Sequence, residues 1–391
     1  MRNLNFRLLW IGRTISNLGD QFYLVALPWL VLGLTNSSLA LGTIMMTATI
    51  PTAVLMLVGG AVSDRLSPRK VWISTTAART LSVLVIGALV WTHAIALWHI
   101  YALALIFGVA DAFATPAAQT LLPLVIEAEQ LPAANSVTQM SQQLTTIAGP
   151  APAGLVIKSF GVAWAFLIDA VSFVFMLAAI WRLPDPPAPP AARKGLLQAI
   201  GQGFEYVNRD PALRSLLLVA GALNFCLAGP LSIGLAWISK QVFGSPVVFS
   251  ILVSAVAAGS LLGALLAGIF KPQRRGLLML IMSAVIACCS ALLGLLTHLW
   301  SLAAVLFVMG GAAGLLNIHI ISWFQQRVER EMRGRATSML MFAALGLAPI
   351  SLLIAGLAVQ WSVAGMFLSS GTLMLLVTVL AASTRGVRDI R

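Results

Sequence analysis

Asp20, Asp111 and Asp169 each stand inside a long apolar run of the chain, and His319 stands in another. An ionisable side chain in hydrocarbon is costly, so such residues mark function or a buried partner. A carboxyl held there can take up a proton and release it as its surroundings open to water on one side or the other. For Asp20 two uses stay open: proton coupling, or a structural role in which it pairs with Arg13 or Arg79 or caps a broken helix. Asp111 has no basic residue near it in sequence, which favours exposure to a cavity. His319 is chemically suited to switching charge near neutral pH, and equally suited to hydrogen-bonded packing inside a helix. Uncharged polar groups accompany them. Gln21 follows Asp20, Asn317 precedes His319, Asn224 lies alone in a further apolar run, and Gln139, Gln142, Gln143, Thr145 and Thr146 give one segment a polar face. Tyr23, Trp29, Phe113 and Phe225 offer aromatic walls for an apolar ligand or simply pack.

The elements that must position these groups follow from composition. A chain of 391 residues that is 59% hydrophobic and 9% charged has more apolar surface than a water-soluble core of that size can hide. Apolar stretches of about twenty residues recur, each able to cross roughly 30 Å of hydrocarbon as a helix. Twelve spans are expected, near residues 8–34, 39–62, 71–92, 97–122, 133–157, 160–183, 214–239, 246–270, 276–297, 300–325, 336–359 and 361–384. The first lacks a small-residue cleavage site after a short apolar core and is expected to be retained. Trp91, Trp98, Trp164, Trp237, Trp300 and Trp361 fall near one set of span ends, where amphipathic rings favour the membrane interface.

The net charge of +12 would suit nucleic acid, but the distribution of the basic residues points to topology instead. On a twelve-span reading Arg2, Arg7, Arg13, Arg65, Arg69, Lys70, Arg79, Arg182, Arg193, Lys194, Arg209, Arg214 and the basic residues from Lys271 onward fall at or near the span ends and loops of one side, with Lys158 and Lys240 opposite. The positive-inside rule then places both termini in the cytoplasm, with a contact to lipid headgroups as a secondary use of the charge. Cys226, Cys288 and Cys289 all lie within spans and form neither a disulfide framework nor a metal-ligand spacing.

A proline-dense stretch, Pro184-Asp185-Pro186-Pro187-Ala188-Pro189-Pro190, cannot be a spanning helix and reads as a linker over 184–213. It separates six spans in 1–183 from six in 214–391, with a short interfacial helix expected between Gly195 and Asn208. The halves echo each other: Thr92-His93 answers Thr297-His298, the basic loop Arg65 to Lys70 answers Lys271 to Arg275, and Gly149-Pro150 answers Ala348-Pro349. The fold class expected is an all-α membrane protein of two six-helix pseudo-repeats, an arrangement typical of secondary transporters.

The loop Gly60-Ala61-Val62-Ser63-Asp64-Arg65-Leu66-Ser67-Pro68-Arg69-Lys70 resembles the cytoplasmic signature of the major facilitator superfamily, with Ser67-Pro68 in place of the family's glycine and basic residue. Phe6-Arg7-Leu8-Leu9-Trp10, Leu18-Gly19-Asp20, Ala26-Leu27-Pro28 and Gly149-Pro150 look most like its drug–proton antiporter branch, which includes macrolide and enterobactin exporters. The resemblance covers essentially the whole chain. It implies the major facilitator fold, with spans one, four, seven and ten lining a cavity. Each of those spans offers a polar group: Asp20 with Gln21, Asp111, Asn224, and Asn317 with His319. It also implies a cytoplasmic gate built from Gly60, Asp64, Arg65, Arg69 and Lys70 against Arg333 and Arg335, and a span-five hinge at Gly149, Pro150 and Gly154, although Ala153 stands where exporters carry a glycine.

The resulting expectation is a monomeric, proton-coupled exporter in a bacterial cytoplasmic membrane. It would use no cofactor, draw energy from the proton gradient, and act on lipophilic or amphipathic small molecules such as drugs or siderophores. The alternatives are a lysophospholipid flippase or importer of the same fold, and a non-transporting receptor. An enzyme is disfavoured: the sequence has no His-Glu-x-x-His, no ordered Ser-His-Asp set and no Gly-x-x-x-x-Gly-Lys phosphate cradle.

Overall fold

The computed structural model describes residues 4–63, 67–185, 204–269, 272, 274–329, 332, 339–340 and 346–383, with side-chain environments left aside at 56–63, 125 and 128. Ten helices among these residues are long and apolar enough to cross a membrane, and no strand occurs among them. In chain order the helices are α1 (Leu4–Thr35), α2 (Ser38–Ser63), α3 (Pro68–Trp91), α4 (Leu97–Val125), α5 (Leu131–Ala148), α6 (Pro150–Phe160) and α7 (Val162–Trp181). They continue with α8 (Pro211–Gly229), a π-helical turn at Pro230–Gly234, α9 (Leu235–Gln241), α10 (Pro246–Ile269), α11 (Arg275–Leu293), α12 (Leu299–Arg327), α13 (Ala348–Trp361) and α14 (Val363–Ser383). The expected fifth span is thus two helices in sequence, α5 and α6. The expected eleventh is described for α13 alone, and of the expected interfacial helix only a short helix at 204–209 lies among the described residues.

Contacts divide the chain into two compact units, Met1–Arg193 with Gly244–Ser254, and Lys194–Phe243 with Ala255–Arg391. Within the first, α1 and α3 pack on α7, and α4 packs on both α2 and α3. Small residues set the distances. Gly12 and Gly19, two turns apart on α1, face Ala179 and Ser172 of α7, and Gly108 of α4 lies against the backbone of Ala48 on α2.

Within the second unit the same order of pairings recurs: α8 on α14, α11 on α14, and α11 on α12. Gly259 and Gly263 of α10 lie against the backbone of α12 at Phe307 and Gly311, while Gly310 and Gly314 of α12 lie against α10 at Val256 and Ser260. The reciprocal four-residue spacing is what lets two membrane helices approach to backbone contact.

Helix breaks are repaired by neighbours. Pro230 has no N–H to give, so the α8 ladder ends there. Ser370 Oγ donates to Cys226 O at 2.5 Å, and Ser351 Oγ donates to Phe225 O at 2.5 Å while accepting from Gly229 N at 2.8 Å. The freed backbone groups are thereby satisfied in a place where water is scarce. At the α5–α6 junction Gly149 keeps helical torsions, φ −70° and ψ −39°, but Pro150 and Pro152 remove two donors in succession.

At the expected cytoplasmic side, Ser67 caps α3 by accepting from Lys70 N at 3.4 Å and donates to Asp185. Arg69 closes the end of α7, with Nε 3.1 Å from Ile180 O and an Nη 2.5 Å from Trp181 O. The hydrogen bond from Ser67, with Lys70 and Arg69 nearby, holds the Asp185 carboxyl below its ordinary range. This contact therefore persists at neutral pH and is lost only as pH falls through that depressed value.

Candidate functional site

The three cavity-facing helices of the first unit put their polar residues on single faces. Arg13, Ser16, Asn17 and Asp20 recur on α1 at offsets of three, four and seven; Trp72, Thr76 and Arg79 on α3 and Asp111, Ala114, Thr115 and Ala118 on α4 do the same. With Gln142 of α5 and Phe173 and Met176 of α7 they line a cavity of about 250 Å³.

Arg79 organises its floor. One Nη lies 2.8 Å from Asp20 Oδ1 and the other 3.6 Å from Asp111 Oδ1, so one guanidinium ties α1 to α4 through α3. The side chain of Arg79 is 15% exposed, whereas those of Asp20 and Asp111 are 33% and 36% exposed on the cavity. The Phe107 and Phe173 rings each stand 4.5 Å from Arg79 Cζ, replacing lost hydration with cation–π contact. Tyr23 stacks on Phe107 at 4.9 Å with the rings nearly parallel, and meets Phe166 edge-on at 6.0 Å. It supports the Arg79 pocket from behind and does not line the cavity.

The sequence treated Arg13 and Arg79 as residues near span ends, and that placement is corrected. Both sit within spans, on the cavity wall. The signal was present, since Arg79 lies eleven residues into α3, too deep for a loop-end charge, and a charge at that depth requires a partner. Of the two structural readings of Asp20, pairing with Arg79 is the one observed. Phe107 and Phe173 were not singled out, because an aromatic in an apolar helix carries no mark of a cation beside it.

The remaining candidates fall in several places. Gln142 lines the cavity, and Gln139 is exposed one turn before it on α5. Phe113 packs against the apolar core around Phe6, Trp72 and Leu121. Gly149 abuts Gln21, where an added Cβ would come within 2.5 Å of Gln21 Cγ, so the α5–α6 junction bears directly on α1. Gly154 of α6 similarly faces Ser250 and Pro246. Gly60 lies in the last turn of α2, and Arg69 and Lys70 engage α7 and Asp185 as above. Asp64, Arg65, Arg333 and Arg335 lie outside the described residues.

In the second unit Asn224 of α8 and Asn317 of α12 line a cavity of about 450 Å³ with Ser260 and a wall of Leu, Ile and Ala. No charged residue is among the described residues that line it. Asn224 Nδ2 donates to Ala220 O at 3.2 Å, which leaves its carbonyl oxygen available. His319 does not join this cavity; it is buried, with Nδ1 3.0 Å from Leu315 O of its own helix. Among the described residues no group of three or more His, Cys, Asp or Glu is arranged to hold a metal.

Comparison with known proteins agrees with this architecture. Macrolide efflux protein A of Streptococcus pyogenes is 25% identical over 396 aligned residues, covering 99% of this chain and 97% of that protein. The enterobactin exporter EntS of Escherichia coli is 25% identical over 332 residues, covering 84% of this chain and 79% of the exporter. The fold matches the crystal structure of the nucleoside transporter NupG with a TM-score of 0.78 at 14% identity, over 97% and 98% of the two chains. It matches a bacterial homologue of the iron transporter ferroportin with a TM-score of 0.75 at 14% identity, over 98% of this chain and all of that one. Residues 1–388 match the family described as transmembrane secretion effectors, and the chain belongs to that family of major facilitator transporters, a multi-pass integral membrane protein.

Proposed function

We propose that this protein is a proton-coupled exporter of uncharged amphipathic small molecules, working by alternating access as a monomer in a bacterial cytoplasmic membrane with both termini inside. The observation that carries the reading is the Asp20–Arg79–Asp111 cluster at a cavity wall. Protonation of either carboxyl removes one leg of the bridge that joins α1 to α4, so proton occupancy and helix packing are linked by charge alone. Substrate recognition is assigned to the second unit, where two amides and Ser260 offer a few orienting hydrogen bonds within an apolar wall. Export as the direction is supported by the relatives, one named for macrolide efflux and the other for enterobactin export. The energy source is the proton gradient.

The test is uptake of a radiolabelled macrolide, and separately of enterobactin, into inside-out vesicles with an imposed pH gradient. Wild type is compared with Asp20→Asn and Asp111→Asn. Both variants are expected to fold, and at least one to lose gradient-driven accumulation. Wild-type pH dependence in both would remove these carboxyls from coupling, and gradient-independent accumulation by the wild type would remove proton coupling altogether.

A further inference from the structure

The proton-coupled reading leaves one buried acid unused. Asp169 of α7 is 0% exposed, and it is the sole charged residue within that helix. Its Oδ1 accepts from Ser172 Oγ at 3.4 Å, a weak contact, since that hydroxyl also donates to Asp169 O at 2.7 Å. Its Oδ2 is buried and has no protein partner among the described residues. No cation stands within ion-pair distance of it among those residues, in contrast to Asp20 and Asp111.

Its position is nevertheless tied to the cluster. An added Cβ at Gly19 would lie 2.7 Å from Asp169 Oδ1, so the carboxyl sits at the α1–α7 contact beside the residue that precedes Asp20. Phe173, one turn further along α7, is one of the two rings that touch Arg79. Around this α1–α7 contact stand Asp20, next to Gly19; Tyr23, whose ring meets Phe166 of α7; and Arg79 of α3, whose guanidinium lies over Phe173 and pairs with Asp111 of α4. From α6 the one charged residue is Lys158, exposed in its last turn. Arg79 itself has an unused donor, because Nε is buried and without a partner. A carboxylate with a free oxygen and a guanidinium with a free N–H thus stand in one cluster.

We propose that Asp169 is the site at which the coupled proton is held, with Asp20 as its cavity-facing entry and Arg79, shared with Asp111, as the group that reports its occupancy. This rests on the proton-coupled reading above. A proton taken up by Asp20 from the cavity passes to Asp169: the O–H bond at the Asp20 carboxyl breaks, one forms at the Asp169 carboxyl, and Asp20 returns to its charged, Arg79-paired state. With the proton in place, Asp169 is neutral and Arg79 serves the other two carboxylates. When the proton leaves, a bare carboxylate in a dry site needs a cation, and Arg79, whose guanidinium lies over the Phe173 ring one turn along α7, has a free Nε–H to turn toward it. Arg79 must then divide itself among three acids, which loosens the α1–α4 bridge.

Two measurements test this. In infrared difference spectra of the purified protein across a pH titration, wild type is expected to show a carboxylic-acid C=O band of a dry, weakly hydrogen-bonded site. The band should be absent in Asp169→Asn and retained in Asp20→Asn and Asp111→Asn. In proteoliposomes, Asp169→Asn is expected to lose gradient-driven macrolide uptake by about tenfold or more while keeping equilibrium exchange near the wild-type rate. A purely structural role would lower both. If Asp169→Asn fails to fold, Ser172→Ala keeps the carboxyl but removes its hydrogen bond, and the band should shift. A band that persists in Asp169→Asn, or stays put in Ser172→Ala, overturns the proposal, as does coupled uptake unchanged in Asp169→Asn. An Asp169 band in a wild type that shows no gradient-driven flux would support the proton site and sink the transport reading.

Discussion

Arg79 meets two carboxylates from two helices, at 2.8 Å and 3.6 Å, with two aromatic rings against its remaining surface. That set of contacts needs a planar, always-charged group with several fixed donors. A lysine ammonium is a compact point charge that can reach one carboxylate at a time and does not spread over two rings. Arg79→Lys is therefore expected to fold with a modestly lowered melting temperature and to keep less than about a tenth of wild-type gradient-driven flux. Arg79→Ala should be worse for stability than for binding, since it leaves Asp20 and Asp111 without a shared counter-charge. Because the Asp20 and Asp111 side chains are 33% and 36% exposed, the loss should fall short of the several kcal/mol of a fully buried broken pair. Thermal unfolding in detergent and flux in proteoliposomes check both; wild-type flux in Arg79→Lys would show that charge alone suffices there.

At the scale of the helix, breaks and close approaches carry the design, and each depends on a side chain from a neighbour. Ser351, 2% exposed, takes up both Gly229 N and Phe225 O where Pro230 interrupts α8. Ser369 of α14 lines, with Ser351, a small cavity beside Pro230 but bonds Met366 O of its own helix at 2.9 Å. Ser351→Ala should therefore destabilise by about 1–3 kcal/mol, the cost of stranding buried backbone groups, while Ser369→Ala stays within roughly 0.5 kcal/mol of wild type. Denaturation of the two variants side by side checks this, and equal losses would mean that the π-helical turn is held by something other than Ser351. Helix existence and order were legible in the sequence because twenty-residue apolar runs have one reading in lipid. The division of the fifth span at Gly149-Pro150 was legible as a weak point. The packing faces were partly so: the spacing of Gly259 with Gly263 and of Gly310 with Gly314 is visible, but which helix meets which is a tertiary fact. The Arg79 cluster was half legible, since Asp20 and Asp111 stood out as charges in apolar runs and Arg79 was one of two candidate partners for Asp20, while its link to Asp111 left no sign in the sequence. Its partners come from α1, α4 and α7, far apart in sequence, and no local pattern brings them together.

For the whole molecule, the two units repeat one order of helix pairings but carry different chemistry. The first unit's cavity is lined by Arg13, Asp20, Arg79 and Asp111, and the second unit's by Asn224, Asn317, Ser260 and hydrocarbon, with no charge among its described lining. A cationic ligand finds no uncommitted carboxylate in the second cavity, and an amide cannot hold a transported proton at neutral pH. Division of labour follows, and it predicts two separable phenotypes. Asn224→Ala and Asn317→Ala should change which molecules are carried, raising KM by about three- to thirtyfold for an uncharged substrate whose hydrogen bonds they remove, with the pH dependence of flux unchanged. Asp20→Asn, Asp111→Asn and Arg79→Lys should alter the pH dependence while the order of preference across a substrate panel stays as in wild type. The panel should pair uncharged amphiphiles with cationic analogues of similar size, since the lining predicts that the uncharged member of each pair competes better. If a cationic member wins and its advantage disappears in Asp20→Asn or Asp111→Asn, then the carboxylates of the first unit bind substrate directly, and coupling there would arise from competition between substrate and proton for the same oxygen atoms.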